Sequence, residues 1–304
     1  MTRRVLVLGA TGMLGHALVR ELSEDPGLDV YGAARSMEGR AHLFSPHLLA
    51  RITPALDVSR FDQVRQVIDD IRPDVVVNCV GVIKQRPDVQ DAVHTVMLNA
   101  LFPHLLADAC AQLGNRLVHI STDCVFSGKR GGYLEDDLPD PPDLYGQSKL
   151  LGETRSAPAL TLRTSIIGHE LTTNRSLLDW FLSQQGPVRG FTRAIYSGVT
   201  TVEFARLLRE VILPREDLTG LYHLAARPIS KYDLLRLVAD VYGWRGELLP
   251  DVDFVIDRSM RADALAQATG YRPPAWSDMI RLMHDARARW SIPDALVSRQ
   301  TAPV

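Results

Sequence analysis

The sequence predicts an α/β protein built on a doubly wound parallel sheet, with a smaller lobe formed by the C-terminal part of the chain. Three observations carry that expectation. Short, wholly apolar runs recur along the first half; stretches with apolar residues at helical spacing separate them; and a glycine-rich turn joins the first run to the first helical stretch. Apolar runs without alternation suit strands buried on both faces, and parallel neighbours need crossovers of helix length.

Val5 to Leu8 forms the first predicted strand, and Leu14, Leu18 and Leu22 recur at helical spacing from Met13 to Leu22. Val30 to Ala34 reads as a strand, Phe61 to Ile71 as a helix and Val75 to Val77 as a buried strand. Val93 to Leu113 reads as a longer helix and Leu117 to Ile120 as another strand. Residues 128–142 are rich in Gly, Pro and Asp and read as a surface loop, followed by a helix over Tyr145 to Glu153. Beyond Gly168 the alternation weakens. Helical spacing returns at Ser176 to Leu182, Val202 to Val211 and Tyr232 to Tyr242, while Leu221 to Ala225 is a further strand able to return to the main sheet. The expected division is a first domain over residues 1–165 and a smaller substrate-binding lobe over 166–304, with no periodicity from Ile292 to Val304.

A chain of 304 residues with 46% apolar and 23% charged residues supplies a sizeable core and lacks the signature of disorder. Its formal net charge of -2, with Lys and Arg scattered, gives no global field for nucleic acid or an anionic membrane, so neither is expected as a partner. No run reads as a signal segment or a membrane span. Cys79, Cys110 and Cys124 share no CxxC spacing and make no full disulfide framework, which fits a reducing compartment; the cytoplasm is the expected location.

Gly9, Ala10, Thr11, Gly12, Met13, Leu14 and Gly15 form GxxGxxG between a predicted strand and a predicted helix. Glycine there permits a tight turn and close approach of backbone to a pyrophosphate, and the helix N-terminus offers N–H groups to the anion. The alternative is an ordinary glycine-rich turn. A NAD-binding sheet of the Rossmann type usually presents a carboxylate about twenty residues further on. Here the second strand ends in Ala33, Ala34, Arg35, and an arginine pairs with a ribose 2′-phosphate, so NADP(H) is the expected cofactor unless Arg35 is merely a solvated side chain.

Tyr145 and Lys149 lie one helical turn apart in YGQSK, and an ammonium beside a phenol stabilises the phenolate. Alone, such a pair is as readily an exposed helix face. Ser121 and Thr122 follow a predicted strand, at the end of the sheet where ligands of these folds sit; a hydroxyl there holds a reacting oxygen or caps a turn.

GATGMLG, HISTDCVFSG and YGQSK, in this order and spacing, resemble the extended short-chain dehydrogenases, and among those the chain is most similar to the dTDP-4-dehydrorhamnose reductase group over residues 4–290. LDVSR at Asp57, VNALFPHLLA at Asn99, LTLRTSIIG before Gly168 and ATGYRPPAW near the C-terminus match as well. The resemblance implies that Thr122 orients the substrate oxygen, Tyr145 donates the proton and Lys149 binds the ribose. It places Asp57 and Val58 at the adenine edge; Cys79, Val80, Gly81 and Val82 beside the cofactor; Asn99 against the active-site backbone; and Ser165 to Ile167, including Ile166, past the nicotinamide. The activity it implies is reduction of a nucleotide-activated 4-keto-6-deoxy sugar, with a nucleotide-diphosphate sugar as the small-molecule partner and a homodimer as a candidate assembly.

The chain departs from that pattern after the fourth strand, where it reads Asn78 to Gln85 instead of a small-residue run leading to an aromatic, and at Cys124, where the reductases usually carry tyrosine. Related 4,6-dehydratases place a glutamate base at the position of Cys124, so elimination is not expected. A 4-epimerase shares the same Thr, Tyr and Lys but retains NAD, and some relatives of this fold are cofactor-binding regulatory subunits. Cys124 and His169 also resemble the epimerising pair of the GDP-fucose synthases, which gives a combined epimerase and reductase as an alternative; the bland readings are a small packed cysteine and a satisfied histidine. Lys84, Arg86, His169, Asn174, Arg175, Trp180 and Arg193 are candidate substrate contacts, each equally a surface or packing residue.

Overall fold

The computed structural model describes residues 2–83, 90–155 and 157–290. Its strands are β1 (Arg3–Leu8), β2 (Leu28–Ala33), β3 (Ile52–Thr53), β4 (Val75–Asn78), β5 (Arg116–Thr122), β6 (Leu160–Thr164), β7 (Ile166–Ile167), β8 (Val188–Phe191), β9 (Ala194–Tyr196), β10 (Val199–Thr200), β11 (Gly220–His223), β12 (Ile229–Ser230), β13 (Leu248–Asp251) and β14 (Ile256–Asp257). The α-helices are α1 (Met13–Ser23), α2 (Pro46–Leu49), α3 (Phe61–Ile71), α4 (Ala92–Val96), α5 (Phe102–Leu113), α6 (Leu144–Leu151), α7 (Leu177–Leu182), α8 (Thr201–Leu207), α9 (Lys231–Tyr242), α10 (Asp263–Thr269) and α11 (Trp276–Arg289).

Seven strands form the central sheet in the order β11-β6-β5-β4-β1-β2-β3, every neighbouring pair parallel. Why the strands read as unbroken apolar runs is visible in their packing. Val5, Val7, Val75 and Val77 face one core with Leu14, Leu18 and Leu22 of α1 and Val202 and Phe204 of α8. Leu6, Leu8 and Val76 face the other with Val64 and Ile68 of α3 and Phe102, Leu106 and Cys110 of α5. Successive side chains of a strand point to opposite faces, so a sheet covered on both sides favours apolar residues at both sets of positions, and polar ones there, such as His119 and Arg163, are held by hydrogen bonds. The strand order reverses between β1 and β4, and the crevice beyond their carboxyl ends is where ligands of doubly wound sheets bind.

β11 returns to the sheet as its edge strand, pairing Gly220 to His223 with Leu160 to Arg163. Outside the central sheet, the chain beyond β6 contributes the pairs β7 with β10 and β8 with β13, and a three-stranded sheet in the order β12-β9-β14. Two readings need correction. The helix over Val93 to Leu113 is interrupted by a π-helical turn at Met97–Leu101, and the joined stretch Ala92–Leu113 is long and apolar enough to cross a membrane by length and composition. Phe102, Leu106 and Cys110 bury its inner face against the sheet, as in a core helix. The helix from Tyr145 stops at Leu151, so Glu153 lies beyond it. Trp276, Met279, Ile280 and Met283 are buried at helical spacing in α11, an element not assigned from sequence.

Candidate active site

At the end of β1 the chain turns with Gly9 at φ 84°, and the N–H groups of Gly9 and Ala10 both donate to the Ala33 carbonyl at 2.9 Å. A Cβ on Gly15 would stand 2.1 Å from the Gly9 carbonyl oxygen, so α1 seats on the turn only with glycine there. Gly12 is exposed and begins α1 without a side-chain cap, which leaves its first N–H groups available to an anion. Thr11 and Met13 are half-buried beside it, while Leu14 buries its side chain in the core. This arrangement fits a dinucleotide pyrophosphate. Arg35, exposed just after β2, lies near enough to Asp57 to act on its carboxyl. Hydrogen bonds from Ser59 hold that carboxyl below the usual range, with smaller help from Arg60 and Arg35. Val58 is half-buried alongside.

Thr122 is the last residue of β5, and its hydroxyl hydrogen-bonds both Asp123 Oδ1 at 3.2 Å and the N–H of Cys124 at 3.1 Å. Asp143 caps α6 by accepting from the Gly146 N–H at 2.9 Å, which puts Tyr145 in the first turn. A Cβ on Gly146 would meet the Cys124 carbonyl oxygen at 2.3 Å, so α6 packs directly on the turn after β5. The Tyr145 phenol lies close enough to Thr122 for the two to interact. Burial, reinforced by Cys124 and Asp123, pushes that phenol well above its ordinary range, and Thr122 opposes the shift. Tyr145 therefore holds its proton at neutral pH.

Lys149 donates from Nζ to the Ile120 carbonyl at 2.7 Å. Burial brings its ammonium down to about 8, with Glu153 and Cys79 acting in the opposite direction, and burial raises the Cys79 thiol to about 12. The expectation that Lys149 lowers the Tyr145 phenol is thus corrected: burial dominates the phenol, and the ammonium is engaged by a backbone carbonyl. A consequence follows for pH. Lys149 carries its charge below about pH 8 and loses it above, so kcat/KM for NADPH is expected to fall as pH rises through that value. A flat profile from pH 7 to 9.5 contradicts this role.

Asn99 sits in the π-helical turn and is fully buried. Its Oδ1 accepts from the Val82 N–H at 2.9 Å, and its Nδ2 donates to the Val82 carbonyl at 3.0 Å and to Ser148 Oγ at 3.2 Å. One amide thereby ties the segment after β4 to α6. Cys79, Val80 and Gly81 are half-buried in that segment, beside the Gly9 turn; the Cys79 carbonyl lies 3.1 Å from where a Gly9 Cβ would stand. Ser165 and Ile166 are half-buried after β6, the Ser165 carbonyl accepting from Val199 N–H at 2.9 Å.

Behind Lys149 lies a buried ion pair that the sequence did not single out. Arg163 donates from Nε and Nη2 to the two carboxylate oxygens of Glu153 at 2.7 and 2.8 Å, and Ser121 Oγ donates to the same carboxylate at 2.7 Å. Arg163 also contacts His223 Nε2 of β11 at 3.3 Å. The signal was present: Glu153 follows Lys149 by the same four residues that separate Lys149 from Tyr145.

The substrate candidates fare unevenly. His169 is 2% exposed, with Nδ1 2.7 Å from Asp179 Oδ1 and Nε2 2.9 Å from the Tyr242 hydroxyl. Both ring nitrogens are engaged in a buried network, which corrects its reading as a substrate contact or an epimerising base. Cys124 is half-buried, 3.5 Å from Arg258 Nη1. Asn174 donates to Ser183 Oγ at 3.4 Å, while Arg175, Trp180 and Arg193 are exposed; none of these four hydrogen-bonds Thr122, Tyr145 or Lys149 among the described residues. Lys84 and Arg86 lie outside the described residues.

The model of the RmlD substrate binding domain matches residues 3–281. Methionine adenosyltransferase 2 subunit beta of Danio rerio is 32% identical over 254 residues, spanning 79% of this chain and 74% of that protein. The dTDP-4-dehydrorhamnose reductase of Aggregatibacter actinomycetemcomitans is 28% identical over 254 residues, 78% of each. The structure of dTDP-4-dehydrorhamnose reductase from Bacillus anthracis in complex with NADP superposes with a TM-score of 0.76 at 22% identity, over 94% of this chain and 100% of that one. A glycine turn at the switch point, a Thr–Tyr–Lys set beyond β5 and a family match over nearly the whole length agree: the chain belongs to the RmlD substrate binding domain family.

Proposed function

We propose that the protein is an NADP(H)-dependent reductase of a nucleotide-activated 4-keto-6-deoxy sugar. The observation that carries this reading is the placing of Thr122 at the carboxyl end of β5 beside Tyr145 in the first turn of α6, with burial holding the phenol protonated. The glycine turn, Asn99-anchored backbone and Lys149 form the cradle for the dinucleotide, and the relative and the solved structure named dTDP-4-dehydrorhamnose reductase support the substrate class. When bound, NADPH supplies the hydride. Thr122 orients the carbonyl oxygen by hydrogen bonding. Tyr145 passes its proton to that oxygen as negative charge develops, and Lys149 holds the ribose hydroxyls. The test is NADPH oxidation with a panel of 4-keto nucleotide sugars; absence of turnover with every one of them, while NADPH still binds, rejects the reading.

A second reading has one observation in its favour, the 32% identical relative named as a subunit beta. It is a cofactor-binding regulatory subunit, and it requires NADP(H) binding without turnover. The cofactor choice has its own test. Arg35→Asp is expected to shift preference from NADPH toward NADH by at least about tenfold in the ratio of Kd values, since a carboxylate repels the 2′-phosphate and accepts from ribose hydroxyls. An unchanged ratio makes Arg35 a surface residue.

A further inference from the structure

The three-stranded sheet of the second lobe brings three side chains against the turn that follows Thr122. β9 ends in Tyr196; β12 pairs with it antiparallel and leads directly into Lys231, the first residue of α9; β14 pairs with it parallel and leads into Arg258. The Lys231 ammonium sits 4.2 Å from the centre of the Tyr196 ring. Arg258 donates from Nε to the Phe126 carbonyl at 2.9 Å and extends Nη1 to 3.5 Å from Cys124 Sγ. Asp123, 7% exposed, is the acidic group between them, and the Tyr196 hydroxyl is buried beside Ser165 without a hydrogen bond of ordinary geometry.

Lys231 is the unusual member. It is partly buried, yet its ammonium makes no hydrogen bond and no ion pair within 4.0 Å among the described residues; the charged groups it feels are Asp123 and Arg258, with the Cys124 thiol nearby. Burial pushes the ammonium below its ordinary range, Asp123 opposes that shift, and Arg258 adds to it. The Lys231 Nζ is not sealed from solvent, so the three donors of the ammonium are open to a ligand as well as to water. Among the described residues, these two cations around the Asp123 carboxylate leave one positive charge in excess beside the residue that follows Thr122.

We propose that Lys231, backed by Arg258, is a specificity-determining residue that receives an anionic oxygen of the substrate. The inference rests on the nucleotide-sugar reading above and adds what that reading leaves open: the group next to the reaction centre is negatively charged. Two sources share this chemistry, the diphosphate of the nucleotide and a carboxylate on the sugar ring.

Calorimetric titration of the NADP-loaded protein separates them without requiring turnover. The probes are nucleoside diphosphate, nucleotide-glucose and nucleotide-glucuronate, each with thymidine and uridine, measured on the unaltered protein and on Lys231→Met. A loss of about tenfold or more for all three probes in the variant assigns the anion to the diphosphate. A loss confined to the glucuronate assigns it to a sugar carboxylate. Equal affinity of variant and parent for every probe, or no binding of any probe to the parent, overturns the proposal. Unchanged far-ultraviolet dichroism and NADP affinity in Lys231→Met confirm that the variant is folded. NADPH oxidation by the parent with 4-keto sugars is scored separately, so a failed reductase reading is distinguishable from a failed anion site.

Discussion

Tyr145→Phe is expected to lower kcat by about a hundredfold or more while leaving the Kd for NADPH within about twofold, because the substitution removes the proton donor and leaves the glycine turn and Lys149 in place. The burial that raises the phenol gives this prediction its direction. A phenol protonated throughout the neutral range is ready to donate, so the acid limb of the pH profile of reduction is not set by Tyr145. Thr122 keeps its bonds to Asp123 and the Cys124 N–H in the variant, so the site retains its shape. Stopped-flow single-turnover measurements with saturating NADPH separate this loss from product release. A variant with near-normal single-turnover rate removes Tyr145 from the chemistry.

The largest expected effect on stability belongs to the Arg163–Glu153 pair, whose side chains are 0% and 2% exposed. Arg163→Met leaves the Glu153 carboxylate buried with Ser121 and, at 3.6 Å, the more exposed Arg155. Removing one partner of a buried pair typically costs roughly 3 to 5 kcal/mol, so a fall in Tm on the order of 10 °C is expected for a chain of this size. Glu153→Gln carries a second readout that packing alone does not produce. Glu153 favours the charged form of Lys149, so its neutralisation lowers the Lys149 pKa from about 8, and the alkaline limb of kcat/KM moves to lower pH. A destabilised variant with an unmoved limb restricts Glu153 to a structural role.

What was legible in the sequence was whatever depends on local pattern. β1, β4 and β5 read as apolar runs because both faces of the sheet are covered, and the glycine turn, Thr122 and the Tyr145–Lys149 spacing are each contained within a few residues. His169 illustrates the limit: its place after a strand-end glycine suggested a substrate contact, whereas Asp179 and Tyr242, 10 and 73 residues further along the chain, hold it in the interior. Lys231 and Arg258 were equally hidden, since their neighbourhood is created by two-residue strands with no period to detect. Glu153 was within reach by spacing, but its significance depends on Arg163, which sits mid-strand in a run that otherwise reads as a buried β segment.

The return of β11 to the edge of the central sheet bears on how separable the two halves of the molecule are. No single cut divides the chain into a cofactor module and a substrate module: a fragment ending near residue 165 keeps the glycine turn and the Thr–Tyr–Lys set but loses the strand that covers β6. Its last strand, Leu160 to Thr164, buried at all five positions in the intact protein, would become a bare edge with unpaired backbone groups, the usual template for aggregation. Arg163 would lose His223, and Arg116 would lose the Ile212 and Leu218 carbonyls that it bonds at 2.6 and 2.8 Å. Grafting a different specificity onto this scaffold therefore calls for two junctions, one on each side of β11.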